Sequence, residues 1–421
     1  MRRFFAIGLI WIGCALAWIV LGSAVIVRSG DATGRLSSEV HQLWGPPMAQ
    51  QPPSAEVTAQ APATPAPEER SEQDTGKAVA IPLVGSDIAV GLSLEHRKKG
   101  LVWFPTYSVS FDARYTFQNP TNEKQTVDFR FPLERDNALY DGFEVLAADG
   151  HGEDATVASG VATWRGVLAP HQHKTYRVKY RSRGTERFTY AVSSGTGQVK
   201  DFRLALTTDF DKVDFPAGTL SPSSKELSAG KFSGEWKFKT LVASSPIGVE
   251  LPQKINPGPL AARITFFAPV GLLFFFFVVA VLSSAREKRL HPMHFFFLGT
   301  AFFAFHLLFA YLVDHLEIVP SFAIASGVSL LLSVTYARLF VGWKFALREL
   351  GVSQALYLVL FSLTFFWPGF TGLSITVGAI LTLFVMMQLT GRKNWAGEEN
   401  RLEAPAGCAS PYRCAPTATE G

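Results

Sequence analysis

From Ile264 to Ala285 the chain runs twenty-two residues without a formal charge, with four phenylalanines, Phe274 to Phe277, at its centre. A backbone amide left unpaired in hydrocarbon costs several kcal/mol, so a stretch this long and apolar satisfies its polar groups by spanning a bilayer as a helix. Four more apolar stretches follow before Trp395, and the spacing predicts spans near 264–283, 295–313, 321–337, 352–366 and 373–390. Residues 256–395 therefore read as a five-helix membrane bundle.

The amino end adds a sixth span. Met1-Arg2-Arg3 precedes an apolar run from Phe4 to Val27, twenty-four residues, longer than the core of a secretory signal peptide. Residues 1–28 read as an uncleaved anchor; the alternative is a cleaved signal, for which Ala15, Ala17, Gly22, Ser23 and Ala24 offer small residues. Basic clusters set the orientation. Arg286, Lys288 and Arg289 follow the first bundle helix, Arg338, Lys344 and Arg348 the third, and Arg392 and Lys393 the last, whereas Asp314–Pro320 and Trp367–Gly372 hold no Lys or Arg. Every positive cluster falls on the side of Arg2 and Arg3, which predicts both termini in the cytoplasm and residues 29–262 in the periplasm of a bacterial inner membrane. Trp343, Trp367, Trp395 and Tyr311 stand near span ends as interfacial anchors.

Between the anchor and the bundle the pattern changes twice. Residues 29–77 are read as a tether, because from Gly45 onward Pro, Ala, Gln and Glu dominate and cannot bury enough apolar surface to offset ordering entropy. Just before the Pro-rich part, Leu36 to Trp44 could form a short amphipathic helix or simply extend the anchor. Residues 78–255 alternate with period two. Tyr107, Val109, Phe111, Ala113, Tyr115 and Phe117 point one way along a strand, and Val127, Phe129 and Phe131 resume the alternation after turn residues Asn119-Pro120-Thr121-Asn122. These two strands are expected to pair as a hairpin. Further strands are expected at 143–147, 155–157, 161–167, 175–180, 188–192, 202–207 and 236–241, a pattern that fits a β-sandwich, with a second β unit after Ala191 left open. The three cysteines, Cys14, Cys408 and Cys414, all lie outside this region, so it has no disulfide framework. Residues 396–421 read as a disordered tail.

No His-Glu-x-x-His, Gly-x-Ser-x-Gly, Walker or dinucleotide pattern is present, which does not exclude an enzyme but removes any basis for naming one; no catalytic residue, cofactor or metal is assigned, and the expectation is a non-enzyme. His171 and His173 have a strand-compatible chelating spacing, but after Ala169-Pro170 a turn explains them better. His306 lies mid-span, where a titratable group is costly and is a functional candidate by default; the bland alternative is a neutral imidazole bonded to a neighbouring helix. Asp314 and His315 close the same helix, as a proton relay, a cation ligand or an ordinary polar end. His291-Pro292 opens that helix, with proline where its missing N–H costs nothing. Ala325, Ser329, Ser333 and Ala337, and Ser374, Gly378 and Thr382, form small-residue stripes suited to close helix packing. Pro269 and Gly271 either bend the first bundle helix or mark its outer turn.

The stretch from His291-Pro292 through Phe305-His306-Leu307-Leu308 to Asp314-His315 and Ser321-Phe322, with the closing Met386 to Trp395, resembles the CreD family of bacterial inner-membrane proteins. The resemblance implies an envelope-integrity factor linked to cell-wall stress, β-lactam exposure and colicin tolerance, and carries no catalytic residue. Asp314 stands where the family pattern has Glu, His306 where it has an apolar or aromatic residue, and the Pro-rich segment is additional. Three functions are thus expected in order: a non-catalytic protein whose periplasmic β domain binds or senses an envelope component; a transporter or lipid-handling protein using His306 and Asp314; and a membrane hydrolase pairing Ser326, Ser329 or Ser333 with His306. The expected partners are the lipid bilayer and an unidentified envelope component, not nucleic acid.

Overall fold

The computed structural model describes residues 2–58, 80–134, 138–193, 198–286, 288, 290–367 and 369–391. In chain order the elements are helix α1 (Arg2–Trp44); strands β1 (Met48–Gln50), β2 (Ser54–Val57), β3 (Leu83–Lys99), β4 (Val102–Gln118), β5 (Gln125–Pro132), β6 (Tyr140–Ala147), β7 (Thr156–Ala158), β8 (Val161–Leu168), β9 (His173–Thr185), β10 (Arg187–Tyr190), β11 (Gln198–Thr208), β12 (Ser224–Ser228), β13 (Lys231–Val242) and β14 (Ile247–Glu250); and helices α2 (Pro257–Ala285), α3 (Pro292–Leu312), α4 (Ile318–Val341), α5 (Trp343–Phe366) and α6 (Thr371–Gly391). Two compact units result: Met1–Val25 with Leu260–Gly421, and Ile26–Pro259.

The first unit holds the apolar helices. Among the described residues six are long and apolar enough to cross a membrane. The helix predicted to begin at residue 352 starts at Trp343, separated from α4 only by Gly342, whose φ of 85° breaks the helical path. Lys344, Arg348 and Glu349 lie in its first turns rather than in a loop, and Glu349 pairs with Arg286 at 3.0 Å. Pro269 sits inside an unbroken α2, where its carbonyl accepts the Trp11 indole N–H at 2.9 Å. Gly271 is needed for a different reason: a Cβ there would meet the Tyr357 carbonyl at 2.6 Å, so α2 and α5 could not approach as closely. The α4 stripe packs as expected, with Ala325, Ser329, Ser333 and Ala337 fully buried. In the α6 stripe only Thr382 is buried; Ser374 and Gly378 are exposed.

The second unit is built on three sheets, with strand orders β12-β13-β11-β3-β4-β9-β6, β2-β5-β8-β7 and β1-β10-β14. The alternation read in β4 holds: Tyr107, Val109, Phe111, Ala113, Tyr115 and Phe117 are all buried. The predicted β4–β5 hairpin is wrong. β4 pairs with β3 and β9, whereas β5 pairs with β2 and β8. Alternation fixes which face a side chain takes and not which strand lies alongside, and here Phe117 meets Phe129 at 5.1 Å across two sheets. Asn119 makes the turn between them, its amide donating to the Glu123 and Ala169 carbonyls at 2.7 and 3.0 Å. The open question of a second β unit is answered by β11, which runs parallel to β3 in the seven-stranded sheet.

The tether expected over 29–77 is also corrected. α1 continues without interruption to Trp44 and ends at Gly45, φ 100°, before Pro46-Pro47. Met48–Gln50 and Ser54–Val57 are then edge strands, the positions where flanking prolines remove no ladder bond. Gln50 is keyed into the core, accepting from the Tyr180 hydroxyl at 2.7 Å and donating to the Pro132 carbonyl at 2.9 Å. Residues 59–77 and the tail from residue 396 lie outside the described residues.

Candidate functional site

His306 is buried, and its Nδ1 lies 3.2 Å from the Phe302 carbonyl one turn earlier. Its ring is edge-on to Trp18 and Phe305, with centroids at 5.4 and 4.8 Å, and stacks on Phe302 at 5.9 Å. A mid-helix carbonyl absorbs the ring N–H and aromatics fill the remaining space, an arrangement suited to a neutral imidazole used for packing. Asp314 and His315 are exposed in the turn that ends α3, eight positions and about 12 Å of helix rise from His306, so the three do not form one site. His291 caps α3, its Nδ1 accepting the Met293 N–H at 3.2 Å.

The serines proposed as nucleophiles do not hydrogen-bond His306. Ser329 donates to the Ala301 carbonyl at 2.6 Å and accepts from Gln354 Nε2 at 2.8 Å. The hydroxyls of Ser326 and Ser333 and the Oε1 of Gln354 are buried with no hydrogen-bond partner. Gln354 lies between two stretches of α5 wound as π-helix, Ala346–Gly351 and Ala355–Leu360, and the next turn adds a bond between Tyr357 and Thr382 at 2.8 Å. Sequence reasoning passed over Gln354. The available clue was an amide in the apolar stretch from Val352 to Leu363, a position where polar side chains are costly.

In the β unit, His171 occupies a turn at φ 57° and its Nε2 meets Asn122 Oδ1 at 2.6 Å, while His173 opens β9. Among the described residues no group of three or more His, Cys, Asp or Glu could hold a metal.

A trough of about 590 Å³ lies across the outer face of the seven-stranded sheet. Two rows of cross-strand neighbours build it. One runs Thr207, Gly91, Ser110, Arg181, Asp141 over β11, β3, β4, β9 and β6; the other runs Ala205, Ala89, Asp112, Lys179, Glu144. Strands lie about 4.8 Å apart, so the rows extend about 19 Å. Half of each row is small, with Gly91 leaving room for Ser110 Oγ, which would lie 2.6 Å from any Cβ there. The other half carries both signs of charge. Arg181 pairs with Asp141 at 3.0 Å, and Arg177 beside the trough holds Asp112 through two bonds of 2.7 and 2.5 Å. The Arg177 hydrogen bonds, offset by partial desolvation, hold the Asp112 carboxyl below the usual aspartate range. A floor of small side chains with fixed charges along one side can receive an extended polar chain carrying amino and carboxylate groups.

The family model described as inner membrane protein CreD matches residues 133–396, more than half of the chain, from the end of β5 through the last helix. The chain belongs to the CreD family. It is thus an inner-membrane family protein whose matched region includes part of the trough and all five carboxy-terminal helices. No curated protein matches this CreD-family chain. Solved structures give weak likenesses: a Legionella pneumophila protein described as nutrient-binding (13% identity, 58% of this chain and 96% of that one, TM-score 0.33) and an M1 zinc metallopeptidase from Deinococcus radiodurans (10%, 68% and 93%, TM-score 0.28). At such TM-scores neither bears on the activity of this chain.

Proposed function

We propose that this CreD-family chain is a non-catalytic inner-membrane protein that supports envelope integrity or the response to envelope stress, by binding or sensing an envelope component in the trough. In this reading residues 29–262 are periplasmic, the two larger sheets pack as a sandwich, and the bundle anchors the β unit. The observation that carries it is the trough, an outward groove with a small-residue floor and a charged margin. The orientation rests on the basic residues, Arg2 and Arg3 at the start of α1 and Arg286, Lys288, Arg338, Lys344 and Arg348 at alternate helix ends. An envelope polymer bearing amines and carboxylates, of the kind found in cell-wall peptide, matches the trough in length and charge.

The test fills the trough from an exposed position, Ala89, and a half-buried one, Ala205. Ala89→Trp with Ala205→Trp, in the full-length chain, is expected to raise sensitivity to β-lactams and cell-wall stress above that of the unaltered chain while its membrane level stays normal. A photo-reactive residue at Ser110 is expected to capture envelope material, less so in the filled variant. Unchanged resistance together with unchanged capture overturns the proposal.

A transporter or lipid-handling role is the second reading, favoured by the buried Ser329–Gln354 pair between α4 and the π-wound α5. His306→Leu distinguishes the two: an unaltered phenotype removes transport through His306, and a lost phenotype at normal protein level supports it.

A further inference from the structure

The charged half of the trough holds one cation and one carboxylate that are not bonded to a neighbour. Arg181 is paired with Asp141 at 3.0 Å, and Asp112 is held by Arg177 through two hydrogen bonds. Arg114, one row over, is paired with Asp87 at 3.5 Å. Lys179, half-buried, and Glu144, exposed, make no ion pair and no side-chain hydrogen bond among the described residues. Lys179 adds, behind the Arg177 hydrogen bond and charge, to the lowering of the Asp112 carboxyl, but no salt bridge joins the two. Arg177, Lys179 and Arg181 balance Asp112, Asp141 and Glu144, so this end carries no net charge.

Lys179 and Glu144 are direct cross-strand neighbours on β9 and β6, a placement in which opposite charges ordinarily pair. A bulge sets them apart. Asp141 lies opposite Arg181 and Glu144 opposite Lys179, so β6 has one residue more than β9 over this step, and such an insertion re-aims the side chains beside it. Gly142 takes the left-handed conformation at φ 61° that the insertion requires. Phe143 and Val145 pack into the core on either side of Glu144, which turns its carboxylate outward into the trough.

An unbonded cation beside an unbonded carboxylate, in a site without net charge, selects its own complement. A ligand bearing only carboxylates would face Asp112, Asp141 and Glu144, and one bearing only amines would face Arg177, Lys179 and Arg181, so each meets repulsion. A group with one charge of each sign satisfies both. The other half of the trough suits the chain leading to such a group: across β11, β3 and β4 the floor is Ala205, Ala89 and Gly91, with hydroxyls from Ser110 and Thr207. That distance is about 10 Å, or about three residues of extended chain.

Building on the reading of the trough as the ligand site, we propose that Lys179 and Glu144 make its charged end selective for a zwitterionic amino-acid centre, one carbon bearing both carboxylate and ammonium, at the end of an uncharged extended chain. Lys179 meets the carboxylate and Glu144 the ammonium. Acylation removes the ammonium, so the trough distinguishes a free peptide end from one whose amine is joined in a crosslink. The test measures binding to the full-length chain in detergent by saturation-transfer NMR, using Nε-(acetyl-Gly-Gly)-DL-lysine, its Nα-acetyl form and its carboxamide form. The free form should bind about fivefold more tightly than either blocked form. Lys179→Gln should erase the difference between the free and carboxamide forms, and Glu144→Gln that between the free and Nα-acetyl forms. Lys237→Gln, an equal charge change on β13 outside the trough, should leave both differences intact. Equal binding of the three peptides, a Lys179 or Glu144 variant that weakens all three alike, or a Lys237→Gln effect as large as that of Lys179→Gln would each overturn the proposal. The filled variant, Ala89→Trp with Ala205→Trp, separates the two ways of failing. If filling abolishes capture at Ser110 while the three peptides bind alike, the trough stands and the zwitterion preference falls; if the filled variant binds the free peptide as well as the unaltered chain does, both fall.

Discussion

Phe117 and Phe129 meet edge to face with centroids 5.1 Å apart, each fully buried and each in a different sheet. Phe129 also stacks on Trp164 at 5.7 Å and meets Tyr176 at 4.6 Å, so one ring joins strands of both large sheets. Phe129→Ala should cost about 3–5 kcal/mol, the range for emptying a phenylalanine site in a packed core, and Phe129→Leu clearly less. Thermal unfolding of the purified chain followed by near-ultraviolet circular dichroism measures both. Equal losses would show that the site collapses around either side chain.

Gly184 faces Tyr107 at a distance only glycine permits, since an added Cβ would overlap the tyrosine hydroxyl and ring. Tyr107 has no room to retreat: it is wholly buried, its hydroxyl donating to the Arg187 carbonyl at 2.9 Å and accepting from the Met48 N–H at 3.3 Å. Gly184→Ala should therefore destabilise the β unit by about 1–3 kcal/mol. Tyr107→Phe in the same background should relieve part of the clash, and a lack of any rescue in proteolysis midpoints would argue against this contact as the cause.

Three carboxylates on the sheets are held below their ordinary range by arginine hydrogen bonds: Asp112 by Arg177, Asp128 by Arg165 and Glu235 by Arg203. A depressed carboxylate contributes stability that is complete above its unfolded value, near 3.8 for aspartate, and is lost as pH falls through the lower folded value. The β unit should thus lose stability below about pH 4. Asp112→Asn should flatten that loss while lowering stability at neutral pH by about 0.5 kcal/mol, a small figure because the pair is partly solvated. Melting temperatures from pH 7 to pH 3 decide it; parallel curves for both proteins would refute it.

Gln354 and Ser329 share a buried bond of 2.8 Å between α5 and α4. Ser329→Ala should cost about 0.6 kcal/mol, as membrane side-chain hydrogen bonds average, and Gln354→Leu should be near neutral because it also removes the unpartnered Oε1. Unfolding in mixed micelles would show a different pattern, with Gln354→Leu the more damaging, if that amide holds the helices in register.

The sequence alone determined which segments are apolar helices long enough to cross a membrane and which side chains turn inward along β4 and β5, because charge-free length and period-two alternation are local properties of consecutive residues. It identified His291-Pro292 as a helix start for the same reason. Only the tertiary structure decided that Phe117 and Phe129 face each other across sheets, that Met48–Gln50 and Ser54–Val57 complete sheet edges inside a Pro-rich segment, and that α5 begins nine residues early with its charges folded into the first turns. The trough likewise draws each row from five strands separated by up to 116 residues, Gly91 to Thr207 in one row and Ala89 to Ala205 in the other. Strand partnership is set by shape and burial between distant segments, and a periodic pattern encodes a face but not a neighbour.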